Sequence, residues 1–238
     1  MTSRTQAFVL LLFGGALLRL ATTDALLRYV RPVARPWVLL AGAAIVALAL
    51  WSLFASRSGS GSGSDAHDAE VVDEHGHHGA SRAAWLVLAP VIAILVVAPP
   101  ALGAFTAKRL PVSAITPPSR DFPALRGADP VRISLLDYYS RAAFGAGTTL
   151  AGHRLTMTAF VLRPEPDGFQ VARLVITCCA ADAQPVVVAV QASTPAPARD
   201  TWVTVTGTFA GMSPTDATVP VLRADAVTPV GQPSNPYD

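Results

Sequence analysis

Trp37 to Ala55 reads WVLLAGAAIVALALWSLFA, nineteen positions without a charged side chain. Wound as an α-helix at about 1.5 Å per residue, this stretch measures roughly 28 Å. That is close to the ~30 Å hydrocarbon core of a bilayer. Trp37 and Trp51 stand toward its two ends, where amphipathic rings settle at a membrane interface. A second uncharged run extends from Ala83 to Ala107, and Pro99-Pro100 marks the end of its helical part. A third, Thr5 to Leu18, is closed by Arg19, whose long side chain reaches the interface from the last turn of a helix. A secretory signal is the competing reading of this N-terminus, but Arg19, Arg28, Arg31 and Arg35 directly behind the apolar core impede translocation. The sequence therefore predicts three spans, at about 5–23, 37–55 and 83–101, and a multi-pass location in the cell membrane.

The whole chain is 51% hydrophobic and only 14% charged, where a soluble domain carries about 25% charged residues. This balance excludes an intrinsically disordered chain and fits a cytosolic enzyme poorly. Arg28, Arg31, Arg35, Lys108 and Arg109 fall on one side of the predicted spans, and Arg4, Arg57 and Arg82 on the other. Positive charge is retained inside, so this bias places the C-terminal region in the cytoplasm and the 56–82 loop outside.

That loop opens with SRSGSGSGS, a flexible linker, and continues as DAHDAEVVDEHGHH. Four of the five histidines, His67, His75, His77 and His78, lie within twelve residues and alternate with acids that include Asp68, Asp73 and Glu74. Imidazole and carboxylate are natural ligands for zinc and similar divalent ions. The spacing is not that of a rigid tetrahedral centre, so the expectation is loose binding of zinc or another divalent metal by these seven residues. A plain solvated polar loop is the alternative.

From Lys108 onward the composition becomes that of a soluble domain, with eleven basic and ten acidic residues. The sequence thus divides into a membrane region (1–107), a proline-rich linker (108–130) and a β-rich domain (131–238). Val131 to Phe144 has apolar residues at Ile133, Leu136, Tyr139 and Ala143, a helical spacing. Five β-rich runs follow, at 154–163, 169–178, 186–192, 201–209 and 218–227, bounded by Pro, Gly and Asp turns. Five short strands predict a small mainly-β barrel of OB-like type. The near-neutral charge, without interleaved aromatic and basic residues, argues against a nucleic-acid partner.

Within the second run stands RLVITCCAAD, with Arg173, Cys178, Cys179 and Asp182. Strand alternation sets Leu174, Ile176 and Cys178 on one face. The cysteines read as metal or redox thiols, as a reactive nucleophile, or as small buried residues at a strand end with Asp182 capping the turn.

At this motif the chain resembles the YcgQ-like family of uncharacterised bacterial membrane proteins, described as permease subunits. The resemblance rests on the His/Asp/Glu-rich loop, the run ending near Pro99-Pro100, RLVITCCAADAQPVVVAV, DTWVTVTGTF and the terminal Asn235-Pro236-Tyr237. It implies a multi-span permease partner and a link to zinc supply, and it singles out Arg173, Cys178 and Asp182; Cys179 is less typical. The chain departs from the family in its shorter loop without cysteines. The resulting expectation is a membrane-anchored accessory subunit of a permease complex in divalent-metal handling, not itself an enzyme. The alternatives are an OB-like ligand- or oligonucleotide-binding module on a membrane anchor, and a thiol-based redox protein.

Overall fold

A computed structural model describes residues 3–58, 102–110 and 121–238. The chain forms two compact units, Met1–Leu26 with Val33–Pro100, and Leu27–Pro32 with Ala101–Asp238.

In the first unit, α1 (Ser3–Thr22) and α2 (Arg35–Ser58) pack along each other. The seam consists of small residues seven positions apart. Ala7, Gly14 and Ala21 are buried on α1, and Gly42 and Ala49 on α2. A Cβ on Gly14 would come within 2.8 Å of Val46 Cγ2, and one on Gly42 within 3.1 Å of Leu18, so the absent side chains set how closely the helices approach. Apart from side chains such as Leu18 and Val46 that line it, the larger apolar residues turn away from this seam; Trp51, for example, is 76% exposed. Arg35 Nε donates to the Ala21 carbonyl at 2.7 Å, satisfying a group left open at the C-terminal end of α1.

The two helices match the first two predicted spans in position, but they are not equivalent. Pro32–Phe54, 23 residues with a mean hydropathy of 2.3, is long and apolar enough to cross a membrane. The apolar part of α1, Ala7–Thr22, falls short of that length. The expectation of three spans is thus reduced to one span-length helix among the described residues. The predicted span at 83–101 lies outside them.

The second unit is built on a closed five-stranded barrel. A two-residue strand β1 (Val131–Arg132) leads into helix α4 (Leu135–Phe144), followed by β2 (Arg154–Glu165), β3 (Gly168–Val175), β4 (Gln184–Gln191), β5 (Trp202–Met212) and β6 (Pro220–Pro229). A single helical turn, α3 (Ala104–Ala107), precedes them. The circular order is β2-β3-β4-β6-β5, and β2 closes back onto β5. One long strand serves both closures: β2 pairs with β5 from Arg154 to Phe160 and with β3 from Phe160 to Glu165. The β4–β6 contact is parallel and the other pairings within the ring are antiparallel. This agrees with the OB-like barrel expected from the five runs. At the β2–β3 turn, Gly168 has φ +148°, and a Cβ there would collide with the Val190 carbonyl, so only glycine fits.

Two apolar clusters hold the barrel. The inner one joins alternate residues of every ring strand, such as Leu155, Val171, Val188, Val205 and Leu222, to Leu135, Tyr138 and Ala142 of α4 at one end. Full burial of such a side chain stabilises the fold by about 1.5–3 kcal/mol. The outer cluster lies on the opposite face of β2–β4, where Phe160, Ala172, Leu174 and Val187 are covered by Ala104, Ala107 and Tyr237. β4 is consequently buried on both faces, which explains its unbroken PVVVAV.

The helix predicted over 131–144 begins only at Leu135. Ser134 caps it, its hydroxyl accepting from Asp137 N at 3.0 Å, while Val131 and Arg132 pair with β2. Of the expected apolar positions, Ile133 and Tyr139 are buried, whereas Leu136 is half-buried and Ala143 exposed; Leu135, Tyr138 and Ala142 complete the buried face. The tail of the predicted linker is not free, because Arg141 donates to the Pro123 carbonyl at 2.7 Å and Leu125 packs on the inner cluster.

Candidate functional site

β3 ends at Val175, and the turn from Ile176 to Ala183 carries the cysteines. Asp182 organises it. One carboxylate oxygen accepts from Thr177 N at 2.9 Å and the other from Cys178 N at 2.8 Å. The turn also pairs with the segment between α1 and α2. Val30 and Cys179 form an antiparallel bridge, Ala180 N donates to the Tyr29 carbonyl at 2.7 Å, and Arg31 N donates to the Cys178 carbonyl at 3.4 Å.

Cys178 and Cys179 are free thiols with their sulfurs 3.6 Å apart. Cys178 is exposed and Cys179 half-buried, which corrects the expectation of small buried residues at a strand end. Leu174 and Ile176 are buried as the alternation requires, but the strand stops before Cys178 and the alternation stops with it. The capping role expected of Asp182 is observed. Hydrogen bonding to the Asp182 carboxylate, then to Cys179, pushes the Cys178 thiol up to about 11, so it is protonated at neutral pH. Asp182 feels some desolvation, which raises its pKa, but the bonds it accepts from the Cys178 thiol and the backbone amides of the turn hold it below the usual carboxylate range.

Arg173 does not reach this thiol as an activating charge. Its guanidinium is spent on the C-terminal tail: Nη2 donates to the Asn235 and Tyr237 carbonyls, both at 2.9 Å, and Nε lies 3.1 Å from the Asp238 carboxylate. Asp238 in turn accepts from Leu136 N at 3.0 Å, at the first turn of α4. Burial raises the Asp238 pKa, and the Arg173 charge opposes that shift. Tyr237, anchored by this grip, is 3% exposed. Its hydroxyl donates to the Arg28 carbonyl at 2.7 Å and accepts from Leu102 N at 3.3 Å.

The motif therefore separates into two devices. Cys178, Cys179 and Asp182 form one turn, and Arg173 forms a clasp on the tail. From the sequence, Tyr237 stands only in the Asn235-Pro236-Tyr237 resemblance and Asp238 in no candidate site, although a signal for both exists. An arginine in the middle of a buried strand needs a carboxylate partner, and the aromatic Tyr237 follows a stretch poor in other large apolar residues. The predicted metal ligands His67, Asp68, Asp73, Glu74, His75, His77 and His78 lie outside the described residues. Among the described residues, no group of three or more His, Cys, Asp or Glu is arranged to hold a metal ion.

Fold and site define a closed β-barrel whose tail and one turn both grip the short segment leading into the membrane-length helix. Residues 147–237 match the sequence family described as the DUF1980 C-terminal domain. The match takes in β2 to β6, the cysteine turn, Arg173 and Tyr237; α1, α2, α3 and α4 lie before it. No curated protein and no solved structure matches the chain significantly.

Proposed function

We propose that the chain is a membrane-anchored accessory subunit of a permease complex that handles a divalent metal such as zinc. The observation that carries this reading is the Tyr237 hydroxyl. By joining the Arg28 carbonyl to Leu102 N, it ties the barrel to a point four residues before the membrane-length helix begins at Pro32. A barrel that folds around the segment entering that helix offers a partner a preorganised docking surface. The span-length stretch Pro32–Phe54 supplies the anchor, the apolar run at 83–101 would add a further pass, and the His/Asp/Glu loop gathers ions by weak, exchangeable coordination. The permease partner comes from the likeness to YcgQ-like proteins.

The alternatives have less support. OB-fold barrels bind oligonucleotides on the face formed by their second and third strands. In this ring those strands are β3 and β4, whose outer face is covered by Ala104, Ala107 and Tyr237. A thiol chemistry needs thiolate, and the Asp182 carboxylate keeps Cys178 protonated.

The test is affinity purification of the tagged full-length chain in mild detergent, alongside growth of a deletion strain under a zinc chelator. The expected result is a co-purified multi-span membrane protein and slowed growth, reproduced when His67, His75, His77 and His78 are all changed to Ala. Purification alone, with unimpaired growth, would overturn the proposal.

A further inference from the structure

On the segment that Tyr237 holds, Phe105, Lys108 and Arg109 are exposed and form an unusual set of side chains. Phe105 is 66% exposed, and the Arg109 guanidinium stacks on its ring 3.9 Å from the centroid. Phe105, Lys108, Arg109, Arg199 and Asp200 line one concave surface. The single acid among them is already used: the Asp200 carboxylate accepts from Ala104 N at the start of α3. Lys108 and Arg199 also border the adjoining hollow, where Arg163 lies near Glu165 and Asp216 is hydrogen-bonded to Thr218. Among the described residues, no hydrogen bond or ion pair engages the charged ends of Lys108 and Arg199.

Position gives this patch its meaning. Leu102 is bound through Tyr237 to Arg28, and Pro32 begins the membrane-length helix. Phe105 is three residues beyond Leu102, so it lies within about 11 Å of chain from that tether. Arg28 and Arg31, exposed on the tethered segment itself, add two more cations. An exposed aromatic ring beside Lys108, Arg109 and Arg199, a short chain length from the proposed bilayer entry, complements a surface of phosphate groups over hydrocarbon.

We infer that Phe105, Lys108, Arg109 and Arg199 form a seat for anionic phospholipid headgroups of the membrane that holds the chain. Phe105 enters the interface, the three cations face the phosphates, and the barrel is thereby held against the bilayer at a second point besides the Tyr237 tether. This inference rests on the membrane anchorage proposed above.

The test places a photoactivatable phenylalanine analogue at position 105 of the full-length chain, reconstituted in vesicles of phosphatidylcholine with or without phosphatidylglycerol. Illumination should give protein–lipid adducts that rise several-fold with the anionic lipid. They should fall by about fivefold for each cation removed in Lys108→Ala, Arg109→Ala and Arg199→Ala, and decline with salt. A Lys108→Arg variant should retain the yield, and the thermal unfolding of each variant checks that the barrel is folded. Equal adducts in both vesicle types, adducts to protein instead of lipid, or full protection by millimolar inorganic phosphate would each overturn the inference. Alkaline carbonate extraction of the same vesicles separates the two failures. A chain that stays in the membrane without lipid adducts refutes the headgroup seat alone, whereas a chain released by carbonate refutes the anchorage.

Discussion

The helical hairpin and the barrel sort their side chains in opposite ways. In the barrel, Leu155, Phe169 and Leu222 are fully buried, and the ring has no free edge. In the hairpin, Ala7, Gly14, Ala21, Gly42 and Ala49 are buried, while Trp37, Leu48 and Trp51 face outward. The difference is the one that the proposed membrane anchorage predicts. Water expels large apolar groups into a core, whereas lipid accepts them and leaves close backbone approach to hold helices together. On that reading the Trp37–Ala55 stretch presents a surface suited to hydrocarbon, and the valines of β4 form one suited to burial.

The same contrast applies to the charged residues, and here the largest effect is expected. Arg173 in the barrel is paired with a nearly buried Asp238, while Arg35 in the hairpin is more than a third exposed at its side chain. Arg173→Met, leaving a buried carboxylate unpaired, should destabilise the barrel by about 3–5 kcal/mol. Adding Asp238→Asn should restore much of the loss. Arg35→Ala should cost no more than about 1 kcal/mol. Urea unfolding in mild detergent, followed by near-ultraviolet circular dichroism, measures both. Equal costs at the two arginines would break the comparison.

The apolar residues provide the next test. Leu155→Ala, inside the ring, should cost about 2–5 kcal/mol. Leu48→Ala, on the outward face of α2, should change stability by less than about 0.5 kcal/mol in the same assay. Adding bulk discriminates in the other direction. Gly42→Leu should separate α1 from α2 at a cost of about 1–3 kcal/mol, visible as loss of cross-linking between cysteines placed on the two helices, while the barrel transition stays unchanged.

The smallest effect concerns the turn, where a polar device sits at the surface. Cys178 is held up to about 11, with Asp182 as the first cause. Its alkylation rate should therefore be slow at neutral pH and climb as the pH approaches that value. Asp182→Asn should move the profile to lower pH and speed the reaction at pH 8 by about tenfold. Peptide mass spectrometry distinguishes Cys178 from Cys179. An unchanged rate would mean that the Asp182 carboxylate does not control the thiol.

Local pattern carried the sequence reading as far as local pattern reaches. Each ring strand was visible because a β-branched run sits between Pro, Gly or Asp residues, and its ends fell within a few positions of the observed ones. Ring closure is visible only as an architectural expectation; its basis, β2 pairing with β5 across roughly forty to fifty-five residues, depends on register. The start of α4 shows how a cap can outweigh periodicity, since Ser134 begins the helix later than the apolar spacing implies. Strand alternation puts Cys178 on the buried face, but β3 ends at Val175 and the residue is exposed. The tail clasp was illegible for a different reason: Arg173, Tyr237, Arg28 and Leu102 are distant in sequence, and only the folded barrel brings their hydrogen bonds together.

The contrast between the two regions rests on lipid being the solvent of one of them, and alkaline carbonate extraction of membranes carrying the full-length chain addresses that point directly. The expected result is retention in the membrane pellet and release only by detergent, with Pro32–Phe54 protected from added protease. Recovery of the intact chain in the carbonate supernatant would contradict membrane anchorage and the accessory-subunit proposal with it.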